Sequence, residues 1–293
     1  VLRQIWQFLY EGVNRANYME ENKANIDFEG KEAMYGEVYF LRAYYYFELV
    51  KFFGDVPLFT EARLTAGQAG TLTRTPKDEV YAQIELDLQN AIASLPNSQS
   101  QVGRVNKYTA YALLGKVLLY QDKFAEAASA LDNVIGVYSL VSDYGSQFLR
   151  FGENGPESVF EIQYSNQSNW YDWGCAHCSE GNYAIIMNGP RGWSGPEYAQ
   201  GWSFNVPTEE FYNSFEEGDS RRDATVLDIE AFAAATGASY TEGYDHTGYF
   251  NNKYIPRAGE SGGQTELNYL TNFRIIRYSD VLLMAAEAYN RGG

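Results

Sequence analysis

The segment EVYFLRAYYYFELVKFFGDVPLFT, residues 37–60, decides the fold of this chain. On a helix, Glu37, Glu48 and Lys51 fall together in one charged stripe, and apolar or aromatic side chains occupy the rest of the surface. A helix that is apolar on nearly all sides is normally buried. The segment therefore predicts a buried helix from about Lys31 to Phe53, whose three consecutive tyrosines point in three directions and cannot form one stacking surface.

The predicted helix contains one arginine that needs a partner and has a well-defined end. Arg42 lies opposite the charged stripe, and a buried guanidinium must be paired and hydrogen-bonded. It is either a clamp for an anionic ligand group or a structural arginine that bonds a carboxylate or loop carbonyls. The apolar surroundings favour the structural interpretation. Gly54 can take the left-handed cap conformation, and Pro57 favours an extended Val56, so the helix is predicted to end there.

Further helices are predicted on both sides of this segment. Apolar spacing predicts a first helix over residues 1–23. Thr75 as N-cap, with Pro76 at the first helical position, predicts another helix that ends near Leu95.

Residues 111–135 read as a helix-turn-helix close to the tetratricopeptide pattern. Gly115 and Ala127 stand where small residues let two such helices pack closely. One good repeat is present in the sequence rather than an array.

The character of the sequence changes at about residue 137. Glycine, asparagine and aromatic residues dominate up to about residue 278, and helical spacing is weak. The patterns there predict a strand at 158–164, a short helix at 207–216 capped by Thr208, and an extended segment at 248–255, followed by a last helix at 279–291. The chain is therefore predicted to be one mostly α-helical domain over 1–293, in which a helical part (1–136) and a closing helix (279–293) carry a loop-rich, ligand-binding part (137–278).

Charge and hydropathy narrow the classes of function. The net charge of −16 argues against nucleic acid as a partner, because phosphate binding needs a basic surface. No apolar run is long enough to span a bilayer, and no signal peptide stands at the start. Helical spacing from the first residue favours a segment of a longer protein.

The stretch NQSNWYDWGCAHCSEGNYAIIMNGPRGWSGPEYAQGW, residues 166–202, holds four of the five tryptophans. Sugars present apolar C–H faces and a rim of hydroxyls, which aromatic planes with amide, carboxylate or guanidinium groups alongside can hold. The alternative is that the rings fill the core of a loop-rich part of the chain, and both interpretations stay open. The candidate ligand residues are Trp170, Tyr171, Trp173, Trp193 and Trp202, with Asn169, Asp172 and Arg191 beside them.

Three stretches, at 40–61, 204–226 and 273–293, resemble the SusD/RagB family in sequence, order and spacing. The resemblance implies a tetratricopeptide-like helical frame with a loop-rich ligand-binding face. It also implies a surface-exposed outer-membrane lipoprotein of a Gram-negative bacterium, held by an N-terminal lipid anchor that this chain does not contain. Such proteins bind nutrients, usually glycans and sometimes peptides, and act as the lid of a SusC-like TonB-dependent transporter.

The motif CAHC allows a redox pair, half of a zinc site or a small disulfide loop. A zinc site built on Cys175, His177 and Cys178 would need a fourth ligand, and His246 is the only other histidine. At a cell surface a local disulfide between Cys175 and Cys178 is the expected state. No other cofactor is expected, apart from structural calcium on clustered Asp and Asn oxygens.

Catalysis has little support in the sequence. GWSGP lacks the final glycine of a nucleophile elbow, and two histidines leave little room for acid–base work by that residue. The sequence therefore predicts non-catalytic binding of an extracellular oligosaccharide and its delivery to the transporter. The alternatives are a tetratricopeptide-like interaction scaffold, a peptide-binding member of the family, and a helical glycoside hydrolase, which needs only two suitably spaced carboxylates.

Overall fold

A computed structural model describes residues 2–167, 173–261 and 267–292. The chain forms two compact units. The first contains the residues up to Ser139 and the C-terminal segment from Ile276, and the second runs from Leu140 to Ile275.

The first unit begins with helices that pack in chain order. The long helix α2 packs against α1 and α4, α4 packs against α5, and α5 against α6. Tyr35, Phe40, Tyr46 and Phe47 of α2 are fully buried, which confirms the buried helix predicted from residues 37–60. The helices are α1 (Leu2–Asn22), α2 (Lys31–Phe53), α3 (Ala66–Ala69), α4 (Lys77–Ser94), α5 (Lys107–Leu119) and α6 (Phe124–Asp132).

Arg42 is a structural arginine, as its apolar surroundings predicted. Its Nε and Nη2 donate to the two carboxylate oxygens of Asp87 on α4, at 2.8 and 2.7 Å. Its Nη1 donates to Asn17 Oδ1 and to the carbonyl oxygen of Thr60, both at 2.9 Å. Arg42 and Asp87 are both buried, so this network joins α1, α2 and α4 inside the core.

Hydrogen bonds link the segment that follows α2 to the start of α4. Gly54 has a φ of 68°, although its ψ of −120° differs from that of the predicted left-handed cap. Val56 and Thr75 exchange two backbone hydrogen bonds, of 3.2 and 3.0 Å. The prediction of Thr75 as N-cap was therefore wrong. Thr75 belongs to this bridge, α4 begins at Lys77, and the Lys77 N–H donates to Asp55 Oδ1 at 2.9 Å.

Helices α5 and α6 form the predicted tetratricopeptide-like pair. A Cβ atom at Gly115 would overlap the side chain of Leu131, so only glycine permits this close approach. Ala127 is fully buried at the same contact. This pair and the helices around it make the protein mostly α-helical, with a tetratricopeptide-like frame.

In its described residues, the second unit combines short helices with three two-stranded sheets. The sheets pair β1 with β6, β2 with β4, and β3 with β5. Its elements are β1 (Ser158–Ile162), α7 (Ala184–Asn188), β2 (Arg191–Ser194), α8 (Glu209–Asn213), α9 (Arg221–Thr225), β3 (Val226–Asp228), α10 (Ile229–Thr236), β4 (Ser239–Thr241), β5 (Tyr249–Asn251) and β6 (Phe273–Arg277). The predicted strand, capped helix and extended segment correspond to β1, α8 and β5, and Thr208 caps α8 by accepting from the Phe211 N–H at 3.1 Å.

The C-terminal helix α11 (Tyr278–Gly292) returns to the first unit and packs on α6. It matches the closing helix predicted at 279–291. Across the described residues, no helix combines the length and apolar character that a membrane crossing requires.

Candidate functional site

The structure describes three of the eight residues predicted to contact a ligand. Asn169, Trp170, Tyr171 and Asp172 lie outside the described residues, and so does the side chain of Trp173. Arg191, Trp193 and Trp202 all lie in the second unit, on or near β2. The eight assignments remain predictions. The geometry of Arg191, Trp193 and Trp202 shows which of these three side chains lie close enough together to contact one ligand.

Trp193 belongs to a hydrophobic core. Its ring packs edge-on against Tyr198, with centroids 5.9 Å apart, and lies 6.0 Å from the ring of Phe232. This core is centred on the buried side chains of Tyr198, Leu227, Ile229, Phe250 and Ile255. For Trp193, the structure therefore favours the interpretation that the rings of the tryptophan-rich stretch fill a core.

Arg191 and Trp202 lie together with Phe204, and these three residues are named here the Arg191 cluster. Arg191 Nε donates to the carbonyl oxygen of Trp202 at 2.7 Å, and the guanidinium carbon lies 5.6 Å from the Phe204 ring centroid. The rings of Trp202 and Phe204 meet at 87° with centroids 6.2 Å apart. Arg191 and Phe204 are exposed, whereas Trp202 is half-buried against Ile185, Ile186 and Tyr269.

Two backbone segments hold the Arg191 cluster in place. The N–H groups of residues 201–204 donate to carbonyl oxygens between Ile186 and Pro190, at 2.8 to 2.9 Å. A Cβ atom at Gly201 would overlap the backbone of Gly189, and a Cβ atom at Gly189 would overlap the ring of Pro256, so glycine is required at both positions. The cluster is therefore built on a tightly paired loop rather than on a free one.

A further exposed ring lies beside this loop. Gly243 approaches Ser203, since a Cβ atom at Gly243 would lie 3.0 Å from the Ser203 Cβ. The next residue, Tyr244, is 93% exposed. Neither Phe204 nor Tyr244 was predicted as a ligand residue, because both lie outside the tryptophan-rich stretch and Phe204 was read as part of a family motif.

The chemistry of the Arg191 cluster suits binding rather than bond cleavage. It offers aromatic rings, guanidinium N–H donors and backbone groups, but no general acid, general base or nucleophile. In the core around Trp193, the Tyr198 phenol donates to Asn252 Oδ1 at 3.3 Å, and burial raises the Tyr198 pKa. That phenol therefore remains a neutral donor at physiological pH.

Cys175 and Cys178 are joined by a disulfide, which leaves neither thiol for zinc or for dithiol redox chemistry. Among the side chains that the structure describes, no group of three or more His, Cys, Asp or Glu residues could hold a metal ion. Structural calcium on clustered Asp and Asn oxygens remains a prediction.

The first unit contains a separate cavity of about 420 Å³ between α1 and residues 57–72. Trp6, Tyr10 and Phe59 form its aromatic wall, and Arg3 and Glu11 lie at its rim. The Tyr10 hydroxyl donates to the Pro57 carbonyl at 2.7 Å, which fixes part of this wall. No predicted ligand residue lines this cavity.

Comparison with known proteins gives a consistent result along the chain. A family model described as starch-binding and associating with the outer membrane (SusD-like) matches residues 2–119, and the SusD family model matches residues 156–293. The SusD-like protein P2 of Formosa agariphila is 32% identical over a gapped alignment of 302 positions. This alignment covers 97% of the chain. The chain spans 58% of the length of that relative.

Solved structures with the same fold include proteins described by the glycans they bind. A laminarin-binding SusD-like protein is 38% identical, with a TM-score of 0.90 over 98% of this chain and 66% of its own. Surface glycan-binding protein A from Bacteroides thetaiotaomicron, solved in complex with laminarihexaose, is 30% identical, with a TM-score of 0.87 over 98% of this chain and 64% of its own. Family models, a curated relative and these structures agree that the chain belongs to the SusD/RagB family.

Proposed function

We propose that this protein binds an extracellular oligosaccharide without cleaving it, and that the Arg191 cluster is part of the binding surface. The observation that carries the proposal is the exposed guanidinium of Arg191 beside the exposed ring of Phe204 and the half-buried ring of Trp202, on a loop of the second unit that backbone hydrogen bonds hold. Rings offer surfaces for the C–H faces of a sugar, and guanidinium N–H groups donate to its hydroxyls. The other predicted ligand residues, at 169–173, remain predictions.

The relatives favour a neutral β-glucan as the first ligand to test. Two of the related structures are described as binding laminarin or laminarihexaose. These relatives are named as binding proteins rather than as enzymes, which supports binding without cleavage. Laminarihexaose is therefore the appropriate probe.

We also propose that the bound glycan is passed to a SusC-like TonB-dependent transporter at the outer membrane. The matching family model is described as associating with that membrane. The transporter partner and an N-terminal lipid anchor come from the family resemblance. Co-purification of the epitope-tagged full-length protein with the transporter from outer membranes tests both, and recovery of the tagged protein in the soluble fraction without the transporter would contradict this part.

Isothermal titration of the wild-type protein with laminarihexaose, together with an assay for new reducing ends, tests the binding proposal. We expect binding without new reducing ends, and about tenfold weaker binding for Arg191→Ala, which is a loss of about 1.4 kcal/mol. Arg63→Ala is a matched control, because Arg63 is also exposed over an aromatic ring, that of Tyr18 in the first unit, at 4.2 Å. Its affinity should equal that of the wild type.

The other outcomes separate the alternatives. New reducing ends would support a glycoside hydrolase. The absence of binding to laminarihexaose and to a panel of other neutral and acidic glycans would favour an interaction scaffold or a peptide-binding protein. Equal losses in Arg191→Ala and Arg63→Ala would contradict the assignment of the Arg191 cluster while leaving glycan binding in place.

A further inference from the structure

We infer that Phe204 is a ligand-contacting ring and that Ser203 and Asn205 are positioning residues that hold it outward. This inference rests on the proposed function, because it adds three roles to the same binding surface. The ligand group it assigns to Phe204 is the apolar C–H face of an uncharged pyranose.

The backbone on both sides of Phe204 is unusual. Ser203 has a φ of 57° and Asn205 a φ of 53°, so two non-glycine residues in left-handed conformation flank one aromatic residue. Asparagine adopts this conformation more readily than most residues, but serine does so at a steric cost. Such strain persists only where the surrounding structure fixes it, and it is concentrated at binding and catalytic sites.

The surrounding structure does fix both residues. Asn205 Nδ2 donates to Asn188 Oδ1 at 3.3 Å, and the buried Asn188 in turn donates to the carbonyl oxygens of Ala184 and Tyr254, each at 3.1 Å. Ser203 Oγ accepts from the Arg191 N–H at 3.1 Å. The Phe204 N–H is held by the Met187 carbonyl oxygen at 2.8 Å. The direction of the Phe204 side chain is therefore set on both sides before any ligand arrives.

The ring that this backbone presents is only partly buried in the folded protein. Phe204 is 49% exposed, although burial of an aromatic ring is favourable. The fold thus combines a strained backbone with an incompletely buried ring at one residue, next to a guanidinium that can donate to hydroxyls. A sugar stacked on Phe204 would bury the exposed surface and would meet a ring whose orientation is already fixed, which is how preorganisation strengthens binding.

The ring is tested by titrating variants with laminarihexaose. We expect Phe204→Ala to bind about tenfold more weakly, and Phe204→Tyr to restore affinity to within about twofold of the wild type because it keeps the ring. Phe211→Ala is the matched control, since Phe211 is 45% exposed on α8 of the same unit. It should bind like the wild type.

The positioning residues are tested by the double variant Ser203→Gly with Asn205→Gly. Glycine adopts the left-handed conformation freely, and this relief of strain offsets the loss of the two side-chain hydrogen bonds, so the melting temperature should change little. Affinity should nevertheless fall by about threefold, because Phe204 then samples other directions. If the two side chains had a purely structural role, the melting temperature would fall and the affinity would stay intact.

The outcomes separate this inference from the function on which it rests. A wild type that binds laminarihexaose, with Phe204→Ala binding equally well, overturns the assignment of Phe204 and leaves the proposed function standing. Full affinity in the double glycine variant overturns the positioning roles. A wild type that binds no glycan overturns the proposed function and this inference together.

Discussion

At the scale of single residues, the buried pair of Arg42 and Asp87 should dominate stability. Removing one partner of a buried ion pair leaves the other charge uncompensated, so Asp87→Asn should lower the free energy of unfolding by about 3–5 kcal/mol. Urea unfolding followed by circular dichroism measures this loss. Glu21→Gln is the control, because the Arg63–Glu21 pair is exposed and its removal should cost less than about 1 kcal/mol. Equal effects of the two substitutions would contradict the structural role of Arg42.

A second prediction concerns the carboxylate of Asp219. Hydrogen bonds from the Arg221 side chain and backbone lower the pKa of Asp219 from its ordinary value of 3.8 to about 2. Because the folded-state pKa is depressed, the stabilisation from this carboxylate is present above pH 3.8 and is lost as the pH falls through about 2. An NMR pH titration of the Asp219 carboxyl carbon should show this value, and Arg221→Gln should move the pKa back toward 3.8. An unchanged pKa in that variant would exclude Arg221 as the cause.

The candidate site shows what single residues could reveal from sequence. Residue chemistry predicted Arg191 and Trp202 as ligand residues, and it favoured a structural Arg42. It could not name Asp87, because a partner 45 residues away on another helix is fixed only by the packing of α2 on α4. Phe204 was not among the predicted ligand residues for a related reason. The exposure of Phe204 follows from the left-handed backbone of Ser203 and Asn205 on either side. A serine or an asparagine in a sequence does not by itself predict that conformation.

At the scale of elements, the contact between α5 and α6 should depend on Gly115. Alanine favours helices over glycine by about 1 kcal/mol, but its Cβ would overlap Leu131, and overpacking costs about 1–3 kcal/mol. We therefore expect Gly115→Ala to destabilise the protein in urea unfolding. Gly67→Ala in α3 is the control, because open space surrounds that position and the substitution should be neutral or stabilising. If Gly115→Ala also stabilised, the close packing of α5 and α6 would be wrong.

The accuracy of prediction from sequence varied between elements for physical reasons. Helix α2 was predicted with its observed bounds because a long apolar pattern and a glycine stop define it locally. The start of α4 was misplaced because Thr75 is taken by a long-range bridge to Val56. The β2–β4 and β3–β5 pairs were not predicted, since strands of three or four residues carry too little alternation and their partners lie at least 20 residues away.

At the scale of the whole molecule, the net charge of −16 bears on the kind of glycan that binds. A strongly negative surface repels anionic polysaccharides over about a Debye length, whereas an uncharged sugar feels no such force. The affinity for laminarihexaose should therefore change little between about 0.15 M and about 1 M NaCl, while binding of a sulfated or uronic-acid glycan should be weaker at the lower salt concentration. Titration calorimetry at both salt concentrations measures this. Neutral-glycan binding that collapses in high salt would point to an electrostatic mechanism that the Arg191 cluster does not provide.

Hydrogen–deuterium exchange can locate the binding surface within the two units. Binding at the Arg191 cluster should slow exchange in peptides that cover residues 186–205, because a ligand there stabilises the paired backbone segments against local opening. Peptides from α5 and α6 should be unchanged, and the Arg191→Ala variant at the same laminarihexaose concentration should show less protection at 186–205. The cavity of about 420 Å³ in the first unit supplies the opposing outcome. Protection confined to α1 and residues 57–72 would place the glycan against Trp6, Tyr10 and Phe59 and would contradict the site proposed on the second unit.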